Sequence, residues 1–426
     1  MEDCKRLDIP FCKNPKANKM SKNGKRILHI VPYSNLYPPT NGGQLRCFHI
    51  GIELSKHFEV VLLTLQPRDT FPDRIKSQIL ILNPKKKVKY RSFLDRIKNA
   101  VKFRWIMRSM TQSADDSVLN FYGLIKDLKR EGDVFDFVIM EHLSSMKLGK
   151  VIKSTFPKAV RIVDQHNVDH LLHKQNHNPM NRKESKTYKD LFQLESNLSS
   201  FADLFFACSD YDVEILQSLN NNKIKGFVIP NGTTDNFSTL PRDFSDKSLL
   251  FCGSLDYPPN KSGLIWFYHN IWLDLVDAVP DVKFTIIGRN GDDAEYDELK
   301  SHANINFIGT VAKVDPYYQN SNIAIVPLHE GSGTRLKILE AMKFGNPVLS
   351  TTVGAQGINY TDQVDIMIAD DAASFLDLLK KVFLTPDISR LSNMSESALQ
   401  LVRNNYTWEI IGQKMLTYLK EINQQN

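Results

Sequence analysis

The sequence predicts an α/β protein made of two Rossmann-like, doubly wound domains, and three observations carry the prediction. At 426 residues the chain is longer than one hydrophobic core usually organises. A strand, a glycine-containing loop, a helix and a second strand follow one another from Arg26 to Leu65, and the same succession returns from Ser248 to Gly288. Farther on, Asn322–Leu328 is a short apolar run rich in Ile and Val, the look of a buried strand, and it meets a glycine loop and then a helical pattern.

Residues 1–23 are polar and basic without periodicity, which predicts a disordered extension. Arg26–Tyr33 reads as a strand. A loop with Pro38, Pro39, Asn41, Gly42 and Gly43 follows, then a helix over Gln44–Lys56 and a strand over Phe58–Leu65. GxGxxG is missing here, so nothing favours a nicotinamide cofactor, and paired glycines alone are commonly only a turn. Residues 67–130 break the pattern with a basic, amphipathic insertion. Lys85–Arg108 holds ten basic residues against the single acid Asp95, with Phe93, Ile97, Val101 and Trp105 recurring every four residues. That is the pattern of a helix lying on anionic lipid, and equally of a cationic helix packing its apolar edge on its own domain. Phe135–His142 and Ala159–Val163 read as further strands, and Asp203–Ser209, a helix from Asp210 and Phe227–Gly232 complete the domain, with Pro230-Asn231-Gly232 only a turn signal. The run Asp164-Gln165-His166-Asn167-Val168-Asp169 stands at a strand's C-terminal end, where open α/β sheets place ligands.

The second half opens with a strand over Ser248–Gly253, a Pro-rich loop over Ser254–Asn260, a helix over Lys261–Val279 and a strand over Val282–Gly288. Ile305–Val311, Pro347–Thr352 and Asp365–Ala369 supply later strands. Ala372–Leu384 and Pro386–Asn404 read as helices, and a last helix opens at Tyr406. The domain reading is therefore 24–235 and 236–405, with 406–426 as a separate terminal helix. Between strand and helix, His329–Met342 has by elementary physics the makings of an anion site, and equally of an ordinary strand–loop–helix corner with a surface Arg and Lys. Its glycines let the chain turn, Thr334 can cap, and Arg335–Phe344 forms a helix ended by Gly345. Unpaired N–H groups and the helix dipole favour negative charge at the first turn, beside the cations Arg335 and Lys337. Glu340, one turn deeper, can accept hydrogen bonds from ribose hydroxyls.

Composition bounds the function. Apolar content of 42% and charged content of 24% are those of a soluble globular protein, and no apolar run approaches a membrane span or a signal peptide. The five cysteines are scattered without metal-ligand spacing, which predicts reduced thiols, a cytoplasmic setting and no structural zinc. Residues 1–235 carry 38 Lys and Arg against 25 Asp and Glu, whereas residues 236–426 carry 16 against 23. The basic first half predicts an anionic partner: an anionic membrane surface or a phosphate-bearing acceptor rather than nucleic acid, for which no motif is present.

The string His329–Met342 resembles the signature of the family-4 (group 1) retaining glycosyltransferases, in the branch with a GGGTRLKILEAM-like stretch. Asp164–Asp169 resembles that family's acceptor-side loop, Ser254–Asn260 its "GS-x-D-x-x-P-N" branch, and Tyr406-Thr407-Trp408 the start of its last helix. The resemblance implies the GT-B arrangement, two facing domains with acceptor in the first, donor in the second and the last helix crossing back to the first. It implies transfer of a sugar from a nucleotide-sugar donor to a glycan or lipid-linked acceptor with retention of configuration. No cofactor or site metal is implied, and the setting is the cytoplasm or, peripherally, the inner face of the cell membrane. The implied residues are His166 as the catalytic contact to sugar or acceptor, and Arg289, Val311, Gly333, Thr334, Arg335, Lys337 and Glu340 on the donor. Gly42, Gly43 and Asn167 lie on the acceptor side. Two departures matter. Ser332 stands where the family usually has a first Glu, with Glu330 the nearest other carboxylate, and Ser254 stands where many members have Arg. They leave open an inactive relative that binds nucleotide or glycan as a partner subunit. A sugar phosphorylase or nucleotide-sugar epimerase on the same fold is the other alternative.

Overall fold

The computed structural model describes residues 24–83, 116–176, 182–237, 243–331 and 333–425. The predicted extension 1–23, the basic stretch Lys85–Arg108 and Ser332 lie outside the described residues. The chain divides between Val163 and Asp164 into two compact units.

Among the described residues thirteen strands form two sheets. The first holds β1 (Arg26–Val31), β2 (Glu59–Thr64), β3 (Leu80–Leu82), β4 (Phe137–Glu141), β5 (Val160–Gln165), β6 (Leu204–Ala207) and β7 (Lys225–Val228). Its order is β3-β2-β1-β4-β5-β6-β7. The second holds β8 (Ser248–Cys252), β9 (Lys283–Ile287), β10 (Ile305–Gly309), β11 (Ile323–Val326), β12 (Val348–Ser350) and β13 (Met367–Ile368). Its order is β10-β9-β8-β11-β12-β13, with every neighbouring pair parallel. Both sheets run outward from their first strand, return to its other side and continue, which is the doubly wound order. The predicted fold class is the observed one.

Alternation along the strands builds the second unit's layers. Leu249 and Phe251 of β8, with Ile323 and Ile325 of β11, enter a core with Phe267, Trp272, Phe284 and Phe375. Their neighbours Leu250, Ala324 and Val326 point to the opposite face and pack with Ile338, Leu339, Ala341 and Met342. Those four belong to the Leu336–Lys343 helix. Each large apolar side chain so buried contributes about 1.5–3 kcal/mol, which pins the helix and with it the direction of Lys337 and Glu340. These two stand three residues apart and so share one side of the helix.

Three predicted elements are corrected. Gly42 and Gly43 form the first turn of the Gly42–Ser55 helix instead of preceding it, because Asn41 is the N-cap and accepts from Gln44 N. Pro258 and Pro259 open a helix over Pro258–Phe267 instead of lying in a loop, since proline lacks only an N–H that the first turn leaves unpaired anyway. The helix read as Lys261–Val279 passes through a π-helical turn at Tyr268–Trp272, which seats Trp272 in the core, before resuming over Leu273–Ala278. The short β3 and the Asp116–Arg130 helix lie inside the segment that sequence patterning treats only as an insertion.

Candidate functional site

In the second sheet the winding reverses between β8 and β11, and ligands of doubly wound sheets bind at the C-terminal ends of the strands at that point. Beyond β8 come Gly253 and Ser254. Beyond β11 the chain passes through Gly331 and Gly333 to the Leu336–Lys343 helix. Lys337 bridges the two sides. Its Nζ donates to Asn260 Oδ1 (2.6 Å) and lies 4.4 Å from the centre of the Phe251 ring. A side chain on Gly253 would come within 2.8 Å of both Lys337 Nζ and Asn260 Nδ2. Gly253, at the tip of β8, is therefore a close-approach glycine. Gly288 follows β9 and donates to Gly309 O (2.8 Å), while Gly253 N donates to Ile287 O (3.1 Å). The tips of β8, β9 and β10 thus meet in one corner, with Arg289 holding Leu255 N through its carbonyl (2.8 Å) and Val311 packed on the adjoining core.

The loop before the helix is braced by the chain around it. Gly333 has φ +76, and a Cβ there would lie 2.8 Å from His166 O and 3.5 Å from Asn167 Oδ1. Thr334 does not cap the helix, as the sequence suggests; Arg335 is the N-cap residue and makes no side-chain cap bond. The Thr334 hydroxyl instead donates to Cys208 O (3.0 Å), and Asn231 N donates to it in turn (3.3 Å). Asn231 Nδ2 also donates to Thr334 O (3.2 Å), and Gln175 Oε1 accepts from Gly331 N (2.9 Å). Arg335 folds over its own loop, with Nη1 donating to Gly333 O (3.3 Å). One constellation therefore gathers His166, Asn167, Gly333, Thr334 and Arg335, while Lys337 and Glu340 stand beyond it on the helix.

Burial sets the electrostatics. It lowers the Lys337 ammonium to about 7, helped by the Arg335 charge and opposed by Glu340. It raises the Glu340 carboxyl, against the pull of Lys343, a hydrogen bond from Tyr318 and the Lys337 charge. Arg335 is likewise pulled down by burial. An acid and a base, each short of solvent, stand one turn apart beside the glycine corner.

His166 follows β5 and is buried. The loop that carries it is held by Glu195, at the end of the Arg182–Glu195 helix. Glu195 accepts from Asp169 N (2.6 Å) and His170 N (3.2 Å), and it also meets His170 Nδ1. Burial, with the Glu195 charge, raises the Asp169 carboxyl to about 7. A carboxyl raised in the fold stabilises most below its unfolded value, near 3.9, and that stability is lost as pH climbs to the folded value. Asp169→Asn is therefore expected to raise the melting temperature at pH 8, with the gain shrinking as pH falls to 5. Melts that show no pH-dependent gain would remove this charge from the loop's energetics.

In the first unit, Gly42 and Gly43 open the helix behind β1. Sequence patterning passes over two residues there: Tyr33 Oη and His142 Nε2 lie 2.9 Å apart beyond β1 and β4, the strands at which that sheet reverses. His142 has φ 63, unusual for a residue with a side chain. In the second unit the unforeseen contributors are Asn231, Gln175 and Asn260. Asn231 stands in the turn Pro230–Gly232 and Asn260 at the end of the Pro-rich Ser254–Asn260, where in sequence they carry only turn signals until the fold supplies their partners.

Residues 246–383 match the family model for "Glycosyl transferases group 1". The chain's fold is that of solved GT-B glycosyltransferases. Sucrose-phosphate synthase from Thermosynechococcus elongatus superposes with a TM-score of 0.70 at 14% identity, over 94% of this chain and 100% of that one. HepE of Anabaena, solved with UDP and glucose, gives a TM-score of 0.66 at 13% identity over 93% and 100%. In sequence the chain is similar to an uncharacterized 44.6 kDa protein in the cps region of Klebsiella pneumoniae, at 28% identity over 172 residues. That match spans 38% of this chain and 44% of the other protein. Among the described residues no helix is long and apolar enough to cross a membrane.

Proposed function

We propose that the chain transfers a sugar from a nucleotide-diphosphate donor to a glycan or glycolipid acceptor with retention of configuration, in the synthesis of a cell-surface polysaccharide. The observation that carries the reading is the corner at the β8/β11 reversal, where Lys337 Nζ lies against the glycine turn beyond β8. An anion set there meets a cation and the first turn of a helix, the two elements that stabilise a leaving diphosphate. Glu340 takes the ribose hydroxyls, the backbone about Val311 takes the base, and Arg289 and Arg335 flank the phosphates. Gly333 and Thr334 shape the loop beneath the donor. His166 meets the transferring sugar, with Asn167, Gly42 and Gly43 on the acceptor side. The solved HepE complexes with UDP, glucose and UDP-glucose support the donor class.

The test is release of nucleotide diphosphate from a panel of nucleotide sugars, with and without acceptor glycolipid. Release is expected to need acceptor and to survive chelation of divalent ions. Ser332, in place of the family's first Glu, keeps a second reading in view, a nucleotide-binding partner subunit without turnover. Binding of nucleotide without release, in the natural chain and in Ser332→Glu alike, would favour it.

The basic first half supports work at an anionic membrane surface, through Lys85–Arg108. Replacing Lys85, Lys86, Lys87 and Lys89 by Gln is expected to reduce co-sedimentation with anionic vesicles at low salt. Equal co-sedimentation would leave that stretch as a solvated face.

A further inference from the structure

Three hydrogen bonds fix Asn260, a buried residue in the first turn of the Pro258–Phe267 helix. Its backbone N–H donates to Tyr257 O (2.9 Å), its Nδ2 donates to Ser254 O (2.7 Å), and its Oδ1 accepts from Lys337 Nζ (2.6 Å). Chemistry leaves one orientation for the amide, since an ammonium can only donate and a carbonyl can only accept. Asn260 thus spans from the turn behind β8 to the helix behind β11, and it sets where the lysine's amine stands. The other charged and titratable groups acting on that amine are Cys252 on β8, and Arg335 and Glu340 on its own segment, while Tyr318, on the Asp315–Gln319 helix, donates to the Lys337 carbonyl (3.4 Å). Burial pushes the Cys252 thiol up to about 12 and the Tyr318 phenol well above its ordinary value, so both stay neutral at working pH.

We propose that Asn260 is a positioning residue for the donor's diphosphate: it holds Lys337 across the reversal point through a neutral acceptor, leaving the phosphates to supply the amine's counter-charge. The inference rests on the transferase reading and deepens it. Its consequence is proton linkage. The free-state amine, lowered to about 7 by burial, is charged below that value and neutral above it. Bound phosphate favours the charged form and raises the pKa, so binding takes up a proton. Affinity is then full below the free-state value and falls as pH rises through and above it, by up to about tenfold per pH unit.

Titration calorimetry on the full chain at pH 6, 7, 8 and 9 tests this, using whichever of UDP, GDP, ADP, CMP and dTDP binds most tightly. Wild type is expected to weaken steadily above pH 7, and Lys337→Gln to bind weakly with a flat profile. Asn260→Ala is expected to lose about tenfold at pH 6 and to flatten the profile, as the lysine loses its post. Asn260→Asp, nearly isosteric, puts a carboxylate on the amine and should move the fall in affinity to higher pH, which covers the case of an alanine variant that does not fold. Wild-type affinity and pH profile in Asn260→Ala, or an unmoved profile in Asn260→Asp, would overturn the inference while leaving the transferase reading standing. If no nucleotide binds the wild type, that reading falls and takes the inference with it.

Discussion

Glu340→Ala is expected to cut donor use by about 10- to 150-fold, the loss of charge-assisted hydrogen bonds worth about 1.5–3 kcal/mol. The fold should survive. Burial already raises the Glu340 carboxyl, so its ionised form is held at a cost in the free protein, and removing it relieves that cost. The melting temperature should therefore stay level or rise while donor KM climbs. That pairing separates a binding group from a structural one, whose loss would lower stability. Donor kinetics unchanged from wild type would remove Glu340 from the site.

Gly333→Ala is expected to do comparable damage by a different route. At φ +76 any side chain is strained, by about 1–2 kcal/mol. The added methyl would also stand 2.8 Å from His166 O, a backbone atom that cannot rotate away. The loop must shift by some tenths of an ångström, and with it Thr334, Arg335 and the start of the helix that carries Lys337. A misplacement of about 1 Å can cost about 100-fold in rate, which sets the upper bound for this smaller shift. Sugar-transfer kinetics and a thermal melt check the claim together. A variant with wild-type turnover would show that the contact between this loop and His166 has no part in catalysis.

Much of this was legible in residue order. Apart from β3, the strands of both sheets fall within a few residues of where apolar runs place them, because parallel strands covered on both faces must be apolar throughout. The Gly331 to Glu340 region reads as an anion site from its own residues, since helix starts and glycine turns are local physics. What stayed hidden is contact across long separations. Lys337 meets Asn260 from 77 residues away, and Asn231 meets Thr334 from 103. Nothing in the spacing of either pair announces it; the strand order brings them together. Thr334 misled for the same reason. Its hydroxyl is a good cap in isolation, but the carbonyl of Cys208 and the amide of Asn231 offer it two partners at once. The π-helical turn at Tyr268–Trp272 serves the seating of Trp272 in the core, a demand that no local pattern encodes.

Binding of a nucleotide diphosphate at the corner of Gly253, Lys337 and Glu340 is read out by thermal unfolding of wild type and Lys337→Gln. The ligands are UDP, GDP, ADP, CMP and dTDP, each with and without magnesium. At about a hundred times its dissociation constant a ligand adds about 2.7 kcal/mol, a readable shift. One nucleotide diphosphate is expected to stabilise wild type irrespective of magnesium, with most of the shift lost in Lys337→Gln. No shift with any nucleotide, or an equal shift in the variant, would contradict binding at that corner.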